Sequence, residues 1–161
     1  MDELFLNDFD RTLNVWEKKL HAVSEEESMV SPGPGKWCRK EILGHLIDSA
    51  LNNHRRFVTA IFQGDLIFDG YDQERWVDVQ NYNTRSWKSL VLLWKEMNIH
   101  LLHVINQIPE RVMRHEHGTH NLDRIAWKQI PNGEPATLEY FIKDYLGHMK
   151  HHLNQIIPEA Y

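Results

Sequence analysis

From Leu6 the apolar residues fall at Leu6, Phe9, Leu13, Trp16, Leu20 and Val23, in alternating steps of three and four. That spacing lays one apolar face along a first helix. The acidic "SEEES" and then "SPGPG" end it, because proline and glycine together suit a turn and cannot continue a helix. A second helix is predicted from about Trp37 to Gln63, with Leu43, Leu46, Ile47, Ala50, Phe57 and Ile61 on its inner arc and Gly64 at its end. A third starts near Ser86, carries Leu90, Leu93, Met97, Leu101, Val104 and Ile108, and closes at Pro109. Thr137 is a good N-cap for a fourth, over about Leu138 to Ile157, whose inner residues are Leu138, Phe141, Ile142, Tyr145, Met149 and Ile156.

Two long links separate these helices. Residues 64–85, "GDLIFDGYDQERWVDVQNYNTR", are too irregular for a long helix and too aromatic for a solvated linker. They read as a loop folded back over the bundle and anchored by Tyr71, Trp76 and Tyr82, a kind of loop that commonly carries function. Residues 109–136 form the second long connection, and no segment reads as a strand. The expectation is an all-α four-helix bundle with long connecting loops, in a single domain over 1–161, with topologies other than simple up and down allowed.

A hydrophobic content of 42% fits a folded globular chain. The 18 Lys and Arg are scattered among 23 acids, for a net charge of -5, so no basic stripe is available to neutralise phosphates and no nucleic-acid partner is expected. No apolar run approaches the ~20 residues that cross a bilayer, and the opening "MDELFLNDFDRTL" is acidic where a secretory signal is basic. A cytoplasmic protein with no membrane contact is expected. The single cysteine, Cys38, excludes an internal disulfide; it sits near a helix start, where the dipole can activate a thiol, but a small packed apolar residue is the favoured reading.

Histidine is the unusual count, with 11 copies. In "LGHMKHHLNQI" a step of four stacks His148 above His152 at the edge of the apolar arc, while His151 points toward water. Histidines at this spacing can direct two ring nitrogens at one point. On the second helix His45, Ser49, Asn52 and Arg56 form a polar strip beside the apolar arc. One ligand from one helix and an i, i+4 pair from another can converge inside a bundle, leaving a position open for water or substrate. Three neutral imidazoles suit Zn, Ni or Fe(II). Asp48, Asp144, Asn52 and Gln155 are candidates to hold the second nitrogens of the ligands. The crowded "HEHGTH", with His115, His117 and His120, reads as a solvated loop that could line the mouth of a site. His21, His100 and His103 read as ordinary residues of the first and third helices, and His54 as a hydrogen-bonded core histidine.

"GKWCRKEILGHLIDSALNNHRRF" (35–57), "YDQERW" (71–76) and "DYLGHMKHHLNQI" (144–156) together resemble the DinB-like superfamily and, within it, the YfiT-like metal-dependent hydrolases. The resemblance implies a four-helix bundle with a zinc or nickel ion on three histidines, at positions matching His45, His148 and His152. It also implies either hydrolysis or the transfer of a low-molecular-weight thiol such as bacillithiol or mycothiol, used as a cosubstrate. Many YfiT-like relatives carry further histidines where this chain has Gly44 and Ala50. The expected function is activation of water or a small thiol at a metal, against a small organic substrate, with Asp72, Glu74, Asn52, Arg56 and Tyr71 as catalytic candidates. The alternative is a non-catalytic metal-binding or stress-related helical module. A homodimer is a further expectation, to which Phe62, read as exposed, lends a contact.

Overall fold

A computed structural model describes residues 1–158. Its four long helices are α1 (Glu3–His21), α3 (Arg39–Ala60), α5 (Trp87–Gln107) and α8 (Leu138–Ile156). Between them lie α2 (Glu25–Ser28), α4 (Gln73–Gln80), a 3-10 turn (Tyr82–Thr84), α6 (Glu110–Met113) and α7 (Leu122–Ile125). The described residues form no strand; two isolated bridges, Leu66 with His120 and His117 with Ala136, stitch the links together.

Each long helix starts where the sequence supplies a donor-satisfying group. Asp2 accepts from the Phe5 N–H at 2.8 Å, and Ser86 and Thr137 accept from the N–H groups of Ser89 and Tyr140. These side chains satisfy backbone donors that the first turn leaves orphaned. At α3 the roles reverse, and Glu41 accepts from the Cys38 N–H at 2.7 Å.

The packing order departs from the chain order. α1 packs on α5 and α8, and α3 packs on the same two, so α1 stands diagonally from α3, and α5 from α8. The links 22–38 and 108–137 each cross the bundle, whereas 61–86 joins the packed neighbours α3 and α5. The core between the helices includes Phe9, Leu13, Leu43, Leu46, Ile47, Phe57, Leu90, Trp94, Leu138, Ile142 and Met149, all essentially buried. Each such side chain stabilises the fold by about 1.5–3 kcal/mol. Phe57 meets Phe141 and Tyr145 edge-on, at 5.7 and 6.0 Å between centroids.

Several expectations are corrected. Ile61 and Leu93 are exposed, at 38% and 37%, and the buried stripe of α5 is Trp87, Leu90, Val91, Trp94, Asn98, Leu101 and Ile105. Apolar residues surround much of α5, so spacing alone offers more than one stripe and the neighbouring helices select. Asn98 is tolerated there because it donates to the Trp94 carbonyl and accepts from the Tyr145 hydroxyl at 2.5 Å. "SEEES" does not merely stop α1; Ser24 and Glu27 close a capping box around α2. The loop over the bundle contains α4, capped by Asp72 and ended by Asn81 at φ 46. His54 is only half-buried and lies against His100, 5.0 Å between rings. In "HEHGTH" only His115 fits a solvated loop. His117 and His120 are buried, the first pairing its backbone with Ala136, the second bonding the Glu134 carbonyl at 2.6 Å.

Candidate metal centre

His45 sits in the second turn of α3 on the side that packs against α8, with no exposed surface. His148 and His152 stand one turn apart on α8, both half-buried. The three rings meet at 4.5 to 5.2 Å between centroids, and one nitrogen of each lies within 4.8 Å of the other two. The Nε2 atoms of His45 and His148 face each other at 3.3 Å. Two nitrogens on a tetrahedral cation, bound at about 2.0–2.1 Å, stand roughly 3.3–3.4 Å apart. The donor set therefore fits a divalent cation.

Burial drives the three rings toward the neutral form that a cation requires. It pushes His45 and His148 down to about 3, with smaller contributions from neighbouring imidazoles, and it lowers His152 as well. The tautomer of His152 is set from outside. Its Nδ1–H donates to the Gln155 Oε1 at 2.8 Å, which leaves the Nε2 lone pair free, and the Gln155 amide donates to His151 at 3.1 Å. Of the four candidates for this supporting role, Gln155 bonds a ligand. Asn52 donates instead to the Asp48 carbonyl. Asp144 accepts from the backbone N–H groups of Trp127 and Lys128, both at 2.8 Å. Asp48, fully buried, accepts from the Tyr82 hydroxyl and from Gln80, both at 2.6 Å, and burial raises its carboxyl. His45 Nδ1 and Asp48 Oδ2 are buried without a hydrogen-bond partner among the described residues.

The cradle around His45 explains Gly44. A Cβ there would lie 2.1 Å from the Tyr82 ring, so the ring that reaches Asp48 occupies the place of a side chain at 44. Trp37 covers another side of His45, with ring centroids 5.3 Å apart. Cys38 is buried, donates to Asn83 at 3.1 Å and has its thiol pushed up by burial, which matches the packed reading and not an activated thiol.

A cavity of about 340 Å³ opens beside the histidines. His148 and His152 line it, as do Ser49, Asn53, Arg56, Tyr71, Trp127, Phe141 and Asp144. Of the catalytic candidates, Arg56 and Tyr71 are thus brought to the histidines. Asp72 caps α4, Glu74 faces a different pocket beside Trp37, and Asn52 lines a third with Trp76; none of the three lines the histidine cavity. Ser49 and Arg56 of the polar strip of α3 reach the cavity, joined there by Asn53 in place of Asn52. Asn52 and Asn53 stand on opposite sides of the line through Ser49 and Arg56, and only the direction of α8 decides between them. Trp127, in the last long link, was invisible to helical spacing; its ring lies 5.4 Å from that of His151, which is exposed but still lines the cavity.

The fold and the site together define a helical bundle with a candidate three-histidine centre between two packed helices. The DinB superfamily matches over residues 8–156, and the chain belongs to it. A protein of Oceanobacillus iheyensis described as a candidate metal-dependent hydrolase is 24% identical over 89 residues, 55% of this chain. That match spans about half (52%) of the curated relative's length. YfiT of Bacillus subtilis, described as a probable metal-dependent hydrolase with an unusual four-helix bundle topology, superposes with a TM-score of 0.73 at 17% identity, over 97% of this chain and 86% of that one. A mycothiol-dependent maleylpyruvate isomerase superposes with a TM-score of 0.64 at 14% identity, over 92% of this chain and 57% of that one. At such identities the two solved structures show a common fold. No helix among the described residues is long and apolar enough to cross a membrane.

Proposed function

We propose that this protein is a metal-dependent enzyme in which His45, His148 and His152 hold a divalent cation, zinc, nickel or ferrous iron, and which acts on a small organic substrate. The observation that carries this reading is the convergence of three imidazole donors within 4.8 Å, from two helices, next to a cavity large enough for a small ligand. A divalent cation there would supply Lewis acidity, lowering the pKa of a bound water or thiol toward neutrality. The chain's own residues do the rest. Burial holds the ligands neutral, Gln155 fixes one tautomer, and the packed side of α3 shields His45 from water. Arg56 and Tyr71 line the cavity as substrate-facing groups.

Two chemistries share this site. The likeness to YfiT and to the Oceanobacillus protein, both described as metal-dependent hydrolases, supports hydrolysis, and that to the mycothiol-dependent isomerase supports use of a low-molecular-weight thiol. The cavity argues against a purely structural metal, which is usually closed by four protein ligands. Metal analysis of untagged protein should find one equivalent of zinc, nickel or iron, lost in His45→Ala. The loaded protein is then offered bacillithiol or glutathione with monochlorobimane and, separately, esters and amides. Conjugation without hydrolysis selects the transferase; hydrolysis alone selects the hydrolase. Failure to take up any of the three metals would end the proposal.

A further inference from the structure

Among the described residues no carboxylate forms an ion pair with the buried cation Arg56. Its side chain lines the histidine cavity, yet Arg56 is only 6% exposed. The nearby Asp69 carboxylate pairs with Arg55 at 2.5 Å and offers Arg56 only its backbone carbonyl, at 2.7 Å. One further acceptor, the Asn53 side-chain oxygen, is distant at 3.4 Å. A guanidinium carries about five N–H donors in a planar fork, and two neutral acceptors leave it underserved. Taking such a charge out of water is costly unless an anion joins it.

The groups beside Arg56 are suited to receive that anion. The Tyr71 ring lies 5.9 Å from the guanidinium carbon. Burial, with the nearby Asp48 charge, pushes the Tyr71 phenol up to about 12, so it stays protonated and can donate. Ser49, one helical turn from His45 and from Asn53, brings a hydroxyl to the same wall. Phe141 and Trp127 add apolar surface to the same cavity. Two other charges line the cavity. Asp144 is held by two backbone N–H groups, and the largely exposed Arg124 pairs with Asp123.

We propose that Arg56, Tyr71 and Ser49 form a carboxylate-binding subsite, so that the molecules this cavity takes are small organic acids with an apolar body, anchored at Arg56. The metal reading enters only in fixing which end of such a molecule reacts; the acid-binding end rests on Arg56. The carboxylate could belong to the substrate or to a thiol cosubstrate, and the guanidinium fork recognises both in the same way.

The test uses the zinc-loaded protein and its tryptophan fluorescence, to which Trp127 at the cavity contributes. Phenylacetate is titrated against phenylacetamide, and N-acetylcysteine against its amide, to separate the two sources of the acid. At least one acid should bind on the order of ten- to a hundredfold tighter than its amide, the factor expected for a charged hydrogen-bonded pair. Arg56→Gln should bring acid and amide to equal affinity with zinc content unchanged. Arg56→Lys should keep the preference but reduce it, and Tyr71→Phe should weaken the acid alone by a few-fold. If Arg56→Gln does not fold, those last two variants carry the test. No preference in the wild type, or a preference that survives Arg56→Gln or is untouched in both other variants, overturns the proposal. Repeating the titration on chelated protein separates the two readings. Acid preference lost on chelation means that the metal binds the carboxylate and Arg56 does not. Acid preference in protein that never takes up metal leaves Arg56 in place and removes the metal centre.

Discussion

Replacing His45 with phenylalanine should change how acid unfolds this protein. In the fold His45 is pushed down to about 3, chiefly by burial, whereas in the unfolded chain it titrates near its ordinary 6.5. Between those values the unfolded chain takes a proton that the folded chain refuses, so stability is full above about pH 6.5 and drains away as the pH falls. At about pH 5 the loss from this one ring is about 2 kcal/mol, from 1.36 kcal/mol per pH unit below 6.5. His148, also at about 3, contributes a similar loss that the substitution leaves in place, since phenylalanine keeps it buried. Asp48 and Asp144 work in the opposite sense. Their carboxyls are raised by burial, so they bind protons earlier when folded and add stability as the pH falls. Both are present in each chain and cancel in the comparison. Urea unfolding of metal-free protein at about pH 7.5 and pH 5 measures the effect. The wild type should lose about 2 kcal/mol more than His45→Phe over that interval. Equal losses would show that His45 titrates normally in the fold, and the argument that burial keeps the ligand neutral would be refuted.

Two further substitutions test the surroundings of the site. Gln155→Leu removes the acceptor that fixes His152 and should weaken zinc roughly ten- to a hundredfold in a chelator competition. Because Gln155 is exposed, metal-free stability should move by no more than about 0.5 kcal/mol, and unchanged zinc affinity would show that His152 needs no outer partner. Gly44→Ala drives a methyl into the Tyr82 ring and should destabilise by on the order of 1–3 kcal/mol in thermal or urea melts. In a Tyr82→Leu background the same change should cost far less, because alanine is by up to about 1 kcal/mol the better helix former; an equal cost in both would contradict the clash.

The four long helices were readable because each carries apolar residues in steps of three and four. α4 was not, for a physical reason. Val77 is its one buried residue, so it presents no apolar stripe, and only Asp72 in front and Asn81 behind mark its limits. The pair His148 and His152 follows from helical geometry alone, and His45 stood out as a histidine beside a core. What one helix cannot tell is which residues its neighbours approach. The choice of Asn53 over Asn52, of Gln155 among four possible supports, and of Trp127 at the cavity depends on how links and helices pass one another. His117 and His120 were misjudged for the same reason, since the backbone of residues 64–66 and 134–136 that buries them is remote in sequence.

The packing order is what makes a three-histidine centre possible with these residues. In a simple up-and-down bundle the second and fourth long helices stand diagonally, at about 1.4 times the 8–10 Å that separates packed neighbours. Imidazoles from α3 and α8 would then have to meet across the middle of the core, displacing the apolar side chains that fill it. Here the links 22–38 and 108–137 both cross the bundle, so α3 and α8 become neighbours. His45 and His148 then approach to 3.3 Å at a helix boundary, with Phe57 and Tyr145 still packed against each other further along the same interface. The crossing link also delivers Trp127 to the cavity, where Asp144 on α8 receives its backbone N–H. These two crossing links are therefore part of the site's construction: shortening either to a tight turn would restore neighbours along the chain and separate the ligands.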